Sequence, residues 1–184
     1  MTRQKAVFLD RDGTLIEDVG YIKTPAEINF YANVYAALIL LQKTYKLFIV
    51  TNQSGVAKGD ISLKEVDIVN KAMQKRFECE GIEITEIFVC PHSKEDNCNC
   101  RKPKPFFLKE AALKYNIDLS KSYMIGDHPS DIYCAENAGA TGIYLFTGHG
   151  LKHLHEFRKR PICRPDILDA AKFIINDKVE YQTE

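Results

Sequence analysis

The stretch KAVFLDRDGT, Lys5–Thr14, decides how the chain is read. Its apolar run ends abruptly in Asp10, and a second carboxylate, Asp12, follows before Gly13. A short, unbroken apolar run rich in Val and Phe reads as a strand covered on both faces. The same form recurs at Lys46–Asn52 (KLFIVTN), Glu83–Cys90 (EITEIFVC), Ser122–Asp127 (SYMIGD) and Gly142–Phe146 (GIYLF). Helical candidates fill the intervals. Val34–Thr44 is continuously apolar with good helix formers, and Ser62–Phe77 opens with Ser62-x-x-Glu65, a capping-box pattern. Pro105–Tyr115 and Pro129–Ala138 each place proline at the first helical position, and Gly139 stops the second of them. Pro165–Asn176 reads as a final helix. Strands alternating with helices imply right-handed βαβ units, hence an α/β fold: a three-layer, doubly wound parallel sheet. No internal repeat or low-complexity linker interrupts the pattern, so residues 1–184 are expected to form one domain.

The 184 residues carry 25 Lys+Arg against 25 Asp+Glu, a net charge of zero. That balance gives no global field to gather nucleic acid or an anionic membrane, so any phosphate must be held by a local site. The longest apolar run, Val34–Leu41, is eight residues, where a membrane span needs about 20. The opening MTRQKAVFLD lacks the apolar core of a signal peptide. The expectation is a cytoplasmic monomer with neither membrane nor nucleic acid as partner.

In open parallel sheets, ligands bind beyond the carboxyl ends of the strands. The residues there are Asp10-Arg11-Asp12-Gly13-Thr14, Thr51-Asn52-Gln53-Ser54-Gly55, and Gly126-Asp127 with Asp131 one helical turn on. Two carboxylates spaced by one residue can divide labour, one attacking an electrophile while the other moves a proton. Their crowding also favours a divalent cation, and oxygen ligands that include Asp127 suit Mg2+. A calcium loop counted from Asp10 fails, because its required positions fall on Thr14, Leu15 and Tyr21. Thr51–Gly55 supplies hydroxyl, amide and backbone donors for phosphate oxygens. Arg101-Lys102-Pro103-Lys104-Pro105 sets cations before a helix start, an anion site. Taken singly, these also read as a solvated acidic turn, a polar loop and a solvated basic loop. Chemistry alone does not choose between Lys102 and Lys104.

Cys90-x-His92-x5-Cys98-x-Cys100 gives four ligands in 11 residues. Three thiolates and an imidazole match a closed tetrahedral zinc site, with no open position for catalysis. The scattered Cys79, Cys134 and Cys163 read as small buried hydrophobes. His149, His153 and His155 read as solvated or capping residues, and Lys152, Arg158, Lys159, Arg160 and Arg164 as a solvated basic face.

The order Asp-x-Asp-Gly-Thr, then Thr after a strand, then Lys before a helix, then Gly-Asp-x-x-x-Asp resembles the haloacid dehalogenase-like (HAD) phosphohydrolases over roughly residues 5–147. Within them, FLDRDGTLIEDVGYI, TNQSGVAKG, the Cys/His cluster, CRKPKP and MIGD are similar to the heptose 1,7-bisphosphate 7-phosphatase branch. The related histidinol-phosphate phosphatases share FLDRDGTL and the zinc loop, and the TNQSG-x-A-x-G stretch leans towards the heptose branch. The resemblance implies an Mg2+-dependent enzyme that hydrolyses a small phosphorylated molecule. It makes Asp10 the nucleophile and Asp12 the acid and base. Mg2+ falls to Asp10, the Asp12 main-chain carbonyl and Asp127, with Asp131 behind them. Thr51 and Lys102 stabilise the transferring phosphoryl group, and Arg101 serves substrate recognition. Asp18-Val19-Gly20-Tyr21 matches a flap-like substrate loop, and Asn52, Gln53, Ser54 and His128 join the substrate set. Family members carry Gly-Asp-Lys where this chain has Gly126-Asp127-His128, which replaces a full charge by a partial one. Cys90, His92, Cys98 and Cys100 hold a structural Zn2+ that anchors Arg101 and Lys102. Only about 40 residues separate the first two motifs, little more than one βαβ crossover, so no large cap domain is expected. A zinc-stabilised nucleic-acid-binding module is the reading from another class. The zero net charge and the complete Asp10/Asp12/Thr51/Lys102/Asp127 set weigh against it.

Overall fold

The computed structural model describes residues 2–157 and 159–176, and Arg158 of the basic stretch lies outside them. The strands are β1 (Ala6–Leu9), β2 (Lys46–Asn52), β3 (Ile84–Cys90), β4 (Tyr123–Gly126), β5 (Thr141–Leu145) and β6 (Ile162–Arg164). The helices are α1 (Val34–Gln42), α2 (Gly55–Lys58), α3 (Leu63–Cys79), α4 (Phe106–Tyr115), α5 (Pro129–Ala138), α6 (Gly150–His153) and α7 (Ile167–Asn176). The strands form one parallel sheet in the order β3-β2-β1-β4-β5-β6.

Alternation along the strands explains the layers. Val7, Leu9, Leu47, Ile49, Ile125 and Ile143 face one side, where α1, α3 and α7 pack on them through Leu38, Met73 and Ala170. Ala6, Phe8, Phe48, Val50 and Met124 face the other, covered by α4 and α5 through Leu108, Ala111 and Ala135. Because both faces are buried, each strand reads as a continuous apolar run rather than an alternating one.

The local signals hold where their chemistry is complete. Ser62 Oγ accepts from the Glu65 N–H at 3.2 Å, and Glu65 Oε2 accepts from the Ser62 N–H at 2.7 Å. Gly139 ends α5 at φ +80°. Pro105 caps α4 instead of opening it, and α1 stops at Gln42. β6 and the single turns α2 and α6 escaped the sequence reading. β6 has three half-buried residues at a sheet edge, too short for a pattern. Cys134 is buried, but Cys79 is exposed. It lies two residues beyond the buried Phe77, about 200° round the helix and so on the solvent face. Arg164 is not a solvated cation either: its guanidinium lies 3.9 Å over the Phe173 ring. The chain between β1 and α1 holds only a 3-10 turn, Pro25–Glu27, so no cap stands over the strand ends.

Phe48 is fully buried and stacks on Phe8 with ring centroids 5.1 Å apart. Phe48→Ala is expected to destabilise the fold by about 3–5 kcal/mol. Urea unfolding followed by circular dichroism checks this.

Candidate active site

Parallel strands place their carboxyl ends along one edge, and a cleft of 520 Å³ opens there. β1 delivers Asp10, β2 delivers Thr51 and Asn52, and β4 delivers Asp127. Asp12, Gln53, Ser54, Arg101, Lys102, His128 and Asp131 join them, with Asp18, Gly20 and Tyr21 on the rim. Val19 does not line the cleft and is exposed. The Gly20 N–H bonds Asp18 Oδ1 at 3.0 Å, and this turn puts Val19 at its corner.

Lys102 is the hub. Its Nζ lies 2.6 Å from Asp10 Oδ1, 2.6 Å from Asp131 Oδ1 and 2.9 Å from the Val50 carbonyl. The first and last of these are hydrogen bonds and the Asp131 contact is an ion pair, so the buried ammonium is compensated on three sides. Burial alone would discharge it, but the Asp10 and Asp131 carboxylates outweigh burial and raise its pKa. Lys104 is a different residue in practice. Its Nζ bonds the Cys98 carbonyl at 2.6 Å and Asn97, clamping the cysteine loop. The structure thus separates two lysines that the sequence left equivalent.

Burial pushes the Asp10 carboxyl well above the usual range; Lys102 opposes this and Asp131 and Asp127 reinforce it. Burial and the charge of Asp131 push Asp127 up to about 6. One oxygen each from Asp10, Asp127 and Asp131 lies within 4.8 Å of the others. One ammonium among three buried carboxylates leaves surplus negative charge, and an all-oxygen donor set fits a hard divalent cation. Gly13 must be glycine here: φ is +79°, and a Cβ would fall 2.1 Å from Asp127 Oδ2.

Asp12 is held by a cluster that the sequence did not reveal. Arg11, only 1% exposed, donates to it from Nε and NH2 at 3.0–3.2 Å. Its NH1 bonds Asn70 Oδ1 of α3 at 2.9 Å. Gln53 Nε2 donates to Asp12 Oδ2 and to Thr51 Oγ1, both at 2.8 Å. Asn52 Oδ1 accepts from the Lys102 N–H at 3.1 Å, which ties the β2 end to the lysine loop.

Histidines edge the cleft. His128 Nδ1 accepts from the Ser130 N–H at 3.1 Å, so the ring caps α5 and carries its proton on Nε2 when neutral. Burial, first among the causes, holds its pKa below the ordinary histidine value. His149 is exposed and stands at the N-cap position of α6, as read above; it also lines the cleft, and its main-chain N–H donates to Asp127 Oδ2 at 2.7 Å. Its place just after β5 was the available signal. His153 pairs with Glu156, and His155 is exposed.

Cys90, His92, Cys98 and Cys100 converge in the loop after β3. Their Sγ and Nδ1 atoms stand 3.3–3.7 Å apart where the pairs approach most closely. A tetrahedron with Zn–S near 2.3 Å has edges of about 3.8 Å, so the donors fit zinc in type, number and spacing. Arg101 NH1 bonds the His92 carbonyl at 3.0 Å, which connects this loop to the cleft.

A HAD-hydrolase-like family model matches residues 99–170. The chain is 38% identical over 160 residues to the D-glycero-beta-D-manno-heptose-1,7-bisphosphate 7-phosphatase of Helicobacter pylori strain J99, covering 85% of this chain and 91% of that one. It is 38% identical over 139 residues to a bifunctional histidine-biosynthesis protein of Actinobacillus pleuropneumoniae, 74% of this chain but 38% of that one. A crystal structure of the D,D-heptose 1,7-bisphosphate phosphatase of B. bronchiseptica, complexed with magnesium and phosphate, superimposes with a TM-score of 0.87 at 29% identity, covering 95% and 99% of the two chains. Together with the fold and the strand-end carboxylates, these likenesses show that the chain belongs to the haloacid dehalogenase-like hydrolase family, as a phosphatase of phosphoric monoesters.

Proposed function

We propose that this chain is a single-domain, cytoplasmic phosphatase that removes the 7-phosphate of D-glycero-D-manno-heptose 1,7-bisphosphate through a phosphoryl group carried on Asp10. The observation that carries the reading is Asp10 at the cleft floor, fixed by Lys102 at 2.6 Å, with Asp12 two residues on. The Asp10 carboxylate attacks phosphorus and the bond to the sugar oxygen breaks. Asp12 gives that oxygen its proton. Asp12 then takes a proton from water as the water attacks the acyl phosphate, releasing phosphate and restoring Asp10. Thr51 and Lys102 offer donors to phosphoryl oxygens whose charge shifts during both transfers. Asp10, Asp127 and the Asp12 main-chain carbonyl would hold Mg2+, which would supply charge neutralisation when bound.

Arg101 lines the cleft with NH1 on the His92 carbonyl, and the rest of its planar guanidinium suits a second phosphate, since such a fork binds oxyanions. Asp18, Gly20 and Tyr21, with Asn52, Gln53, Ser54 and His128, shape the remainder of the substrate site. The name of the Helicobacter relative makes the beta anomer the first to assay. Histidinol phosphate is the second candidate substrate, favoured by the histidine-biosynthesis relative. Zn2+ on the four-residue cluster would be structural, since its ligand set is complete. None of the six cysteines is in a disulfide and three are grouped as metal ligands, in keeping with a reducing compartment.

Phosphate release from heptose 1,7-bisphosphate, measured beside histidinol phosphate, tests the assignment. Asp10→Asn is expected to lower kcat by about a thousandfold or more, and equal activity in both proteins would refute the nucleophile.

The proton sign at Asp127 follows from its pKa. The charged carboxylate is the ligand form, so protons compete with Mg2+. Affinity for Mg2+ is expected to fall as pH drops through about 6, by about tenfold per pH unit or more because Asp10, the other carboxylate ligand, is raised as well. Isothermal titration with Mg2+ at a series of pH values reads this directly.

Metal analysis is expected to find one zinc for each four-residue cluster. Chelating it should lower Tm and cut activity, with recovery on added Zn2+ and none on Mg2+ alone.

A further inference from the structure

The flap Asp18–Tyr21 is fastened at both ends. At one end the Tyr21 ring lies against Gly55, where a Cβ would come within 2.6 Å of it. Lys58 Nζ also donates to the Tyr21 hydroxyl at 3.4 Å. At the other end Asp18 divides its two oxygens. Oδ1 accepts from the Gly20 N–H within the flap, and Oδ2 meets His149 Nε2 at 2.9 Å. A carboxylate oxygen accepts, so the imidazole donates through Nε2–H.

The other side of His149 is anchored to the catalytic turn. Its main-chain N–H donates to Asp127 Oδ2, and Thr147 Oγ1 donates to the Gly13 carbonyl, both at 2.7 Å. Between them Gly148 sits at φ +51°, where a Cβ would fall 2.3 Å from Asp127 Oδ2 and 2.5 Å from Gly13 Cα. This loop cannot shift without disturbing Asp127. One residue therefore touches the cation-binding carboxylate with its backbone and the flap with its side chain.

We propose that His149 is a positioning residue that latches the Asp18–Tyr21 flap to the loop holding Asp127, so that flap closure over a phosphoester depends on that carboxylate being in place. The inference rests on the phosphatase reading. The pair is partly exposed, with side-chain accessibilities of 46% and 26%, so it can open to admit substrate and reform. A latch of this kind acts on capture and retention of the substrate, and the chemistry on Asp10 proceeds without it.

The test uses His149→Ala, which removes the imidazole and keeps the backbone N–H, with Asp18→Ala and the double variant. KM is expected to rise about three- to tenfold in His149→Ala while kcat stays within about twofold. In the double-mutant cycle the two losses are expected to be non-additive, the imidazole mattering little once Asp18 is gone. Amide hydrogen exchange over residues 17–23, with Mg2+ and inorganic phosphate present, is expected to be faster in His149→Ala than in wild type. Additive losses, a fall in kcat with KM unchanged, or unaltered exchange would each overturn the latch. The exchange experiment needs no turnover, so it remains decisive even if heptose bisphosphate proves to be the wrong substrate. Wild-type turnover of that sugar tests the substrate reading separately.

Discussion

An ammonium buried between two carboxylates organises this molecule. Lys102 is 4% exposed and Asp131 is fully buried. Removing either partner would strand a charge away from water, which is far more costly than any surface contact. The three groups come from distant parts of the chain: the end of β1, the loop before α4 and the first turn of α5. Bringing them together requires the sheet order to be right and the Arg101–Lys104 loop to be seated. Asn52 holds the backbone of that loop, and the Cys/His cluster braces its start through Lys104 and Arg101. Stability and the readiness of Asp10 thus depend on the same contact.

The site is open because nothing is inserted above the strand ends. The charge balance inside it is deliberate in physical terms. Lys102 sits between Asp10 and Asp131 and neutralises part of the carboxylate cluster, while burial and the charge of Asp131 keep the Asp127 pKa raised. A divalent cation would complete that balance. Asp12 stands apart from it, oriented by Arg11, Gln53 and Thr51. Two carboxylates two residues apart therefore live in different electrostatic surroundings, which suits the separate roles proposed for them.

Much of this was legible in the sequence, for a definite reason. Strands buried on both faces leave unbroken apolar runs, and the residues that end those runs stand at the sheet edge where ligands bind. Asp10, Thr51 and Asp127 were visible in that way, and the cysteine spacing exposed the Cys/His cluster. The unread features are those made by contacts across the fold. Arg11 looks like a surface cation until Asn70, 59 residues away, is seen to receive it. His149 is exposed, and its tie to the flap is visible only once Asp18, 131 residues away, is seen beside it. Lys102 and Lys104 are equivalent in composition and separate only when one turns inward and the other clamps the cysteine loop. β6 is too short to carry a pattern, and Cys79 shows that residue type alone does not fix a helix face.

The stereochemical course at phosphorus is the measurement to make on the wild-type protein. A substrate whose transferred phosphoryl group is made chiral with oxygen isotopes reports the number of in-line displacements. Attack by Asp10 followed by attack of water gives two inversions, and so net retention in the released phosphate. Net inversion would mean that water attacks the substrate directly, and that the buried Asp10–Lys102 pair serves binding and not covalent transfer.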